Sequence, residues 1–461
     1  MKKKPNILFF GMECMRRDHM SLYGYHRLTT PHMDKYLSED SIICENFFSP
    51  SIPTPPGYSS LLTGMDCFGT EIVALRHKGD LSSKVKSLPE VLRDEGYNTT
   101  CIGFTGNAAS RGFDTYLDPK VTWGSWEEGR SRKAESMNEL AIPELERLAG
   151  EDKPFLLFLR HMDPHSPYLA PQPFEGMFFQ GDEFDKKNKS LKKLYDFKPF
   201  RDFFYTWFPP GCTSAEYIIA QYDSTIAYMD ACISLILEKL RYLGLEENTI
   251  VVFTSDHGET LTEHDCFFDH HGLYECTLSI PCAIKWKGRL KGSTRIKDYC
   301  QQKDVMPTLM DMMGLKTGID FTGRSILPLV TGKGRLPEPE MYITECTWQR
   351  KHGWRTPEWK LIVALEPDFH YREMKELYNL IKDPGENHNV IEENPEIAKA
   401  LEKRMKDHIA KREAATGNRN PIFTNLDWND HGRPFKTHDE AYNTLYIGDP
   451  MAARKLQAPN E

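Results

Sequence analysis

The sequence predicts an α/β fold, in which helices sandwich a mainly parallel sheet and a small C-terminal α+β subdomain follows. Between residues 5 and 330, short apolar segments typical of buried strands alternate with longer stretches of helical periodicity. This alternation is the pattern of βα units, which build parallel sheets. The predicted strands span 6–10, 99–104, 155–160, 249–253 and 282–286, and the predicted helices span 88–95, 135–148, 215–243 and 305–313.

Changes in this alternation divide the chain of 461 residues. Residues 1–332 form the predicted α/β domain. Residues 333–414 form the predicted C-terminal subdomain, with a few antiparallel strands and a helix, and 415–461 form a polar C-terminal arm. We expect the arm to pack on the protein or to form a homo-oligomer contact. The segment 172–210, rich in aromatic and charged residues, is interpreted as a surface insertion or as a lid over a substrate pocket.

The composition of the chain limits the classes of function. A hydrophobic content of 39% is enough for a sizeable core, and a net charge of −9 gives no sign of nucleic-acid binding. No apolar stretch approaches the ~20 residues that cross a membrane, and no secretory signal follows Met1. The 11 cysteines are scattered and form no C-x-x-C pair. We therefore expect a cytoplasmic protein with reduced thiols and with no membrane or nucleic-acid partner.

Three short segments carry the candidate chemistry. Glu13 follows the first predicted strand, Asp256 and His257 follow the strand at 249–253, and Thr54 begins a predicted helix. The carboxyl ends of parallel strands meet at one sheet edge, where open α/β folds bind ligands. Oxygen and nitrogen donors at that edge suit a divalent metal, and a helix N-terminus suits an anion. The pattern predicts metal-assisted attack of a hydroxyl group on a phosphate or sulfate ester.

A series of motifs resembles the sulfatase branch of the alkaline phosphatase superfamily. The matching segments include PNILFF, FFSPSIPTPPGYSSLLTG, SLPEVLRDEGYNT, HMDPHSPY, VVFTSDHGE and LYNLIKDPGENHNV, and they occur in the order that the family shows. The resemblance extends from about residue 5 to about residue 390 and implies the family's parallel sheet and small C-terminal subdomain. It also implies a metal-dependent hydrolase that acts on a small anionic substrate.

The segment around Thr54 departs from the common sulfatase pattern. Sulfatases usually carry a Cys or Ser that becomes formylglycine, in a Cys/Ser-x-Pro-x-Arg frame. Here Thr54 stands at that position, Pro56 keeps the proline, and Tyr58 replaces the arginine. Threonine cannot give formylglycine, because its extra methyl group would leave a ketone. Threonine is instead the nucleophile of the nucleotide pyrophosphatase/phosphodiesterase branch. The family's lysine and histidine that contact sulfate are also absent from 103–107.

The resemblance assigns roles to individual residues. The predicted metal ligands are Glu13, Asp256, His257 and Thr54. They would hold one divalent ion (Zn, Mn, Ca or Mg), with a transition metal slightly favoured. Thr54 is also the predicted nucleophile. His165 and His271 are predicted to steady the anion or the leaving group, with His271 preferred over His270.

Structural interpretations of the same residues stay open. Thr54 and Asp256 are both residue types that cap helices. Cys14 is either an inert buried thiol, which we favour, or a soft ligand that would point to zinc. Asp163, His165 and His271 could together bind a second metal ion. Their spacing, however, is not that of the nucleotide pyrophosphatase/phosphodiesterase branch, which uses a second zinc. We therefore expect one ion.

We expect a metal-dependent hydrolase of a small anionic ester. A phosphate mono- or diester or a phosphonate ester is favoured over a sulfate ester, because Thr54 cannot follow the formylglycine route. Three alternatives stay open: a sulfatase that works without formylglycine, a lyase or decarboxylase that uses the old anion pocket, and an inactive binding protein. Retention of Thr54, Asp256, His257, His165 and His271 argues against an inactive protein.

Overall fold

The structure, a computed structural model, describes residues 4–75, 77–120, 133–204, 207–330, 332, 334–335, 339–427 and 434–445. Much of the predicted C-terminal arm, at 428–433 and 446–461, lies outside these described residues. No helix within the described ranges is long and apolar enough to cross a membrane.

The described strands and helices alternate along the first two thirds of the chain. In chain order the strands are β1 (Asn6–Met12), β2 (Ser41–Phe48), β3 (Ser51–Ile52), β4 (Asn98–Ile102), β5 (Thr115–Leu117), β6 (Phe155–His161), β7 (Thr249–Ser255), β8 (Cys282–Lys285), β9 (Ser293–Gln301), β10 (Met341–Glu345), β11 (Lys351–Arg355), β12 (Trp359–Ala364) and β13 (Lys375–Asn379). The helices are α1 (Pro31–Tyr36), α2 (Thr54–Thr63), α3 (Cys67–Thr70), α4 (Leu88–Asp94), α5 (Lys133–Ala149), α6 (Lys192–Asp196), α7 (Lys198–Phe204), α8 (Ala215–Tyr242), α9 (Glu275–Leu278), α10 (Val305–Met313), α11 (Leu327–Val330), α12 (Pro395–Thr416) and α13 (His438–Thr444).

The first sheet has eight strands in the order β5-β4-β6-β1-β7-β8-β2-β9. All neighbouring strands are parallel except β8, which runs antiparallel to β7 and to β2. Helices cover both faces, and buried apolar residues on the two faces form two separate clusters. The predicted α/β fold class is therefore confirmed.

The carboxyl ends of three central strands lie side by side. β1 pairs in parallel with β6 and with β7, so that Met12 lies opposite both His161 and Ser255. The next residues along β1 and β7 are Glu13 and Asp256. This register places carboxylates from distant parts of the chain at one edge of the sheet.

The helix starts follow ordinary capping chemistry. α4 begins with a capping box, in which Ser87 accepts from the backbone N–H of Glu90 and the Glu90 carboxylate accepts from the N–H of Ser87. The long helix α8 begins after Ser214, whose side chain accepts from the N–H of Tyr217. Helix α2 has no side-chain cap at its start. Its first residue, Thr54, is therefore not used as a cap.

A second sheet of five strands forms the C-terminal subdomain. Its order is β13-β12-β11-β10-β3, with antiparallel pairs from β10 to β13 and a short parallel contact between β10 and β3. Helix α12 packs on this sheet through Leu401 and Met405, which share an apolar cluster with Trp354. β3 precedes α2 directly, so this sheet also supports the start of the helix that carries Thr54.

Lys360 lies at the centre of a buried ion cluster that joins the subdomain to α9. Its Nζ lies 2.9 Å from Glu275 Oε1 and 2.6 Å from Glu386 Oε1, and Arg355 forms a second ion pair with Glu275. The Lys360 side chain is fully buried. Removing one partner of a buried ion pair leaves an uncompensated charge in a low dielectric.

We expect Lys360→Met to lower the free energy of unfolding by about 3 kcal/mol, because Glu386 loses its lysine while Glu275 keeps Arg355. Urea denaturation measures the change. Lys403→Met is the matched control: Lys403 forms an exposed ion pair with Asp407 on α12, and such pairs contribute less than about 1 kcal/mol. Equal stabilities of the two variants would contradict a stabilising role for the Lys360 cluster.

Candidate active site

Thr54 lies in the first turn of α2, against the carboxyl edge of the large sheet. Its Oγ1 lies 3.2 Å from His257 Nε2 and 3.4 Å from Glu13 Oε2. The helix approaches this closely because residue 57 is glycine: a Cβ there would lie 2.6 Å from the carbonyl oxygen of Asp256. Pro55 and Pro56 carry no backbone N–H group, and the Gly57 N–H donates to the Pro53 carbonyl oxygen at 3.2 Å, so the first turn offers few donors to an anion. The close approach of the helix therefore holds the hydroxyl group against the side chains of the sheet edge.

Asp256 is buried, and its two carboxylate oxygens have different surroundings. Oδ1 accepts hydrogen bonds from the backbone N–H groups of Cys14 (3.0 Å) and His257 (2.9 Å). Oδ2 makes no hydrogen bond of good geometry with any described residue and lies 3.2 Å from His257 Nε2. Burial, followed by the nearby Glu13 carboxylate, raises the pKa of Asp256 to about 7. A buried oxygen in this state is stabilised by a cation.

Glu13 forms a two-pronged ion pair with Arg160 of β6. Arg160 Nε lies 2.7 Å from Glu13 Oε1, and Nη2 lies 2.9 Å from Oε2. Burial alone would raise the pKa of Glu13, but the charge and hydrogen bonds of Arg160 lower it to about 2. Glu13 is therefore ionised, and its carboxylate is shared between Arg160 and the Thr54 hydroxyl group.

His257, which contacts the Thr54 hydroxyl, is the first of three neighbouring histidine rings at the sheet edge. The His257 ring stacks on the His270 ring at 4.7 Å, and the His165 ring lies 5.4 Å from that of His270. Burial lowers the pKa of His165 to about 3 and that of His270 to about 4, and it also lowers the pKa of His257. All three rings are therefore neutral at neutral pH.

Backbone contacts set the tautomers of two of these rings. His257 Nδ1 lies 2.8 Å from the carbonyl oxygen of Gly258, and His165 Nδ1 lies 2.7 Å from that of Ser166. A nitrogen facing a carbonyl carries the proton, so Nε2 of each ring is an acceptor. In this form Nε2 suits a metal or a proton from Thr54. His165 has no proton on Nε2 to give to a leaving group.

His271 lies in a different environment from His270. Its Nε2 lies 2.6 Å from His370 Nε2, and its Nδ1 lies 3.2 Å from Asp269 Oδ2. The sequence favours His271 for a place beside the nucleophile, but the structure puts His270 against His257. Consecutive residues of an irregular loop face different directions, and periodicity does not specify which one faces the sheet edge.

The residues around Thr54 fit a divalent metal. Asp256 Oδ2 lacks a well-formed hydrogen bond, His257 Nε2 is an acceptor, and the ligand atoms of Cys14, His257 and His270 lie within 4.8 Å of one another. Glu13 is a weaker candidate ligand, since Arg160 already donates hydrogen bonds to both of its carboxylate oxygens. Sulfur and nitrogen donors of this kind suit a transition metal better than calcium or magnesium.

Family models match most of the chain. A sulfatase model matches residues 5–315, and a model for the C-terminal region of N-sulphoglucosamine sulphohydrolase matches residues 262–414. The chain belongs to the sulfatase family. It is therefore a hydrolase of sulfate or phosphate ester bonds, and members of this family generally bind a divalent metal.

Individual relatives include both sulfatases and phosphonate hydrolases. The N-acetylglucosamine-6-O-sulfatase of Bacteroides thetaiotaomicron is 23% identical over 500 residues, which cover 88% of this chain and 87% of that protein. Arylsulfatase K of Canis lupus familiaris is 28% identical over 296 residues, 57% of this chain and 52% of its own length, so this chain spans about half of that relative. The crystal structure of the phosphonate monoester hydrolase of Agrobacterium radiobacter superposes with a TM-score of 0.71 at 19% identity, covering 89% of this chain and 96% of that one. At this identity the likeness shows a shared fold.

Sequence reasoning missed three residues of this site. Arg160 belongs to the apolar strand β6, and only the pairing of β6 with β1 shows that it faces Glu13. Asp269 contacts both His270 and His271 at 3.2 Å. Gln302 donates to the carbonyl oxygens of Ser255 (3.0 Å) and Asp256 (2.6 Å), fixing the end of β7. Of these three residues, only Arg160 has a signal in the sequence, because it is a charged residue inside an otherwise apolar strand.

Proposed function

We propose that this sulfatase-family hydrolase acts on a small phosphate mono- or diester or a phosphonate ester, with Thr54 as the nucleophile. The placement of the Thr54 hydroxyl carries the proposal: it lies at a helix N-terminus, within 3.2 Å of an acceptor nitrogen and 3.4 Å of an ionised carboxylate. This arrangement combines a nucleophile, a nitrogen that can bind a metal and a carboxylate that can accept a proton.

The residues of the site give each step of the attack by Thr54 a defined role. Glu13 Oε2, which lies 3.4 Å from Thr54 Oγ1, accepts the Thr54 proton, because Nε2 of His257 is the nitrogen that binds the metal. Thr54 Oγ1 then forms the bond to phosphorus as the bond from phosphorus to the ester oxygen breaks, and the leaving group departs as an alcohol after taking up the proton. Water hydrolyses the resulting threonyl ester in a second step, which releases the phosphate or phosphonate product and restores the Thr54 hydroxyl group. The Arg160 guanidinium offsets the negative charge of Glu13, which reduces its repulsion of an anionic substrate.

A divalent ion would be held by Asp256 and His257, with Thr54, Cys14 and His270 within its reach. When bound, such an ion polarises the ester and lowers the pKa of the attacking hydroxyl group. The proposed hydrolase therefore depends on a metal, and a zinc-type ion matches these donors best.

A sulfate ester is the second candidate substrate. In its favour, the N-acetylglucosamine-6-O-sulfatase of Bacteroides thetaiotaomicron aligns with this chain over 87% of its own length. The observation against it is Thr54 itself, which retains an alcohol where the formylglycine route needs an aldehyde. We favour phosphorus esters because an unmodified alcohol is a sufficient nucleophile for phosphoryl transfer through a covalent intermediate.

A matched set of nitrophenyl esters tests the choice of substrate. The zinc-loaded full chain should hydrolyse a phosphate diester or a phosphonate monoester with a larger kcat/KM than the corresponding sulfate. Peptide mass spectrometry should show that Thr54 is unmodified. Preference for the sulfate would overturn the phosphorus-ester proposal, and an aldehyde at Ser59 or Ser60 would overturn the position of the nucleophile.

We expect Asp256→Ala to lower the metal content by about one ion per chain, because Asp256 Oδ2 is the buried oxygen without a well-formed partner. Hydrolysis should fall with the metal content. Elemental analysis after dialysis gives the stoichiometry, and Asp152→Ala, at an exposed position, serves as the control. Unchanged metal content in a folded Asp256→Ala protein would remove Asp256 from the ligand set.

A further inference from the structure

A second group of metal-binding side chains lies beyond the residues around Thr54. Cys266, His271 and His370 bring their ligand atoms within 4.8 Å of one another. Cys266 and His271 are buried, and His370 is half-buried. Nε2 of His271 and Nε2 of His370 face each other at 2.6 Å. Two imidazoles and one thiol this close together are donors of a type that proteins use for zinc.

We propose that Cys266, His271 and His370 bind a zinc-type ion at a site separate from the one at Thr54. A thiolate and two neutral imidazoles give three of the four ligands of a tetrahedral site, leaving one position for water or a further ligand. Magnesium and calcium prefer oxygen ligands, so they do not suit this set. The site adds to the hydrolytic function proposed above and does not depend on it.

Neighbouring side chains hold the two imidazoles in place. Asp269 Oδ2 lies 3.2 Å from His271 Nδ1, a contact without well-formed hydrogen-bond geometry in which the carboxylate charge favours a proton on Nδ1 and leaves the Nε2 lone pair for a metal. A carboxylate behind a histidine ligand is the usual arrangement in metal sites. Phe200 stacks on His271 at 5.4 Å between ring centroids, and Phe197 stacks on His370 at 4.8 Å. These two rings belong to the insertion at 172–210.

The site joins separate parts of the fold. Cys266 and His271 lie in the loop between β7 and α9, whereas His370 lies between β12 and β13 of the C-terminal subdomain. An ion bound to all three would fix the subdomain against the loop. Asp269 contacts His271 of this cluster and also His270, which stacks on His257. The ion would therefore also hold the loop that carries His270 to the Thr54 site.

The alternative is a hydrogen-bonded pair of histidines that binds no metal. Burial opposes protonation of His271, but the neighbouring Cys266 and Asp269 raise its pKa above the ordinary value, whereas burial and His271 lower the pKa of His370. In the absence of an ion, His271 would donate the shared proton to His370. Elemental analysis distinguishes the two states by counting bound ions. Cobalt spectroscopy distinguishes them because only the metal site contains a thiolate–metal bond.

The first test compares zinc stoichiometry in the full chain. Wild-type protein should hold about two ions, and Cys266→Ser and His370→Gln should each hold about one fewer. Asp256→Ala should lose the other ion and retain this one, so failure at the Thr54 site is measured separately. Cys67→Ser, a buried thiol elsewhere, and His388→Ala, an exposed histidine, are the matched controls and should keep both ions.

The second test uses cobalt(II) in place of zinc in Cys14→Ser, which removes the thiol near Thr54 and keeps Cys266. A near-ultraviolet thiolate-to-cobalt absorption band should persist in this variant and disappear when Cys266→Ser is added. A folded Cys266→Ser or His370→Gln protein with wild-type zinc content would overturn the proposal. If those variants fail to fold, the cobalt spectrum of Cys14→Ser decides alone, and absence of the band overturns the proposal.

Discussion

Replacing Thr54 by alanine should lower kcat on the best ester substrate by about 100-fold or more, equivalent to roughly 2.7 kcal/mol of transition-state stabilisation. The reason is the position of the Thr54 hydroxyl, 3.2 Å from His257 Nε2 at the start of α2. Metal content should change much less, since Asp256 and His257 remain. Thr54→Ser should keep part of the activity, because it retains the hydroxyl group and loses only a methyl group.

A hydroxyl group elsewhere on the same helix provides the control for Thr54→Ala. Ser60 is buried on α2, and its Oγ has no hydrogen-bond partner among the described residues. Ser60→Ala removes a hydroxyl group without breaking a hydrogen bond between described residues, so its kcat should stay near that of the wild type. Steady-state kinetics on both variants measures the difference. If the kcat of Thr54→Ala stayed near that of the wild type while His257→Ala lost activity, Thr54 would not be the nucleophile. The proposal of a non-hydrolytic or threonine-independent reaction would then take precedence.

The fold could be predicted from the sequence where burial gave a strong pattern. The five apolar runs predicted as strands all correspond to strands of the large sheet, because a strand covered on both faces must be continuously apolar. Three strands of the large sheet, β2, β5 and β9, were not predicted. β5 and β9 lie at the two edges of the sheet, and β9 mixes charged and apolar residues, as in TRIKDYCQ. Charged edge strands are common because they prevent further pairing, but they lack the apolar signal.

The candidate site could be predicted only in part. Thr54, Asp256, His257 and Glu13 follow strands or begin a helix, so sequence position alone placed them at the sheet edge. Their roles as ligands and nucleophile stay predictions. The partners that complete the site come from sequence-distant contacts: Arg160 is 147 residues from Glu13, and His370 is 99 residues from His271. Local patterns contain no information on such pairs.

The Glu13–Arg160 ion pair should have the largest effect on stability of any single contact in the site. Glu13 is buried, and Arg160 Nε and Nη2 satisfy both of its oxygens. We expect Arg160→Met to lower the free energy of unfolding at neutral pH by about 3–5 kcal/mol, because it leaves the carboxylate buried without its partner. Lys86→Met, which removes an exposed lysine paired with the exposed Asp94, should change it by less than about 1 kcal/mol.

The pH dependence identifies Glu13 as the source of this loss. In the wild type the pKa of Glu13 is lowered from about 4.5 to about 2, so the pair's stabilisation is present above pH 4.5 and is lost as the pH falls toward 2. Without Arg160, burial raises the pKa of Glu13, so the variant should instead lose stability as the pH rises above 4.5. The two unfolding free energies, measured with a chelator present, should therefore converge in acid and diverge toward neutral pH. Adding Glu13→Gln to Arg160→Met should abolish the divergence, since no charge is left to bury. A constant difference between wild type and Arg160→Met across this range would show that Arg160 acts through packing on Phe104, 4.6 Å away, and not through the charge of Glu13.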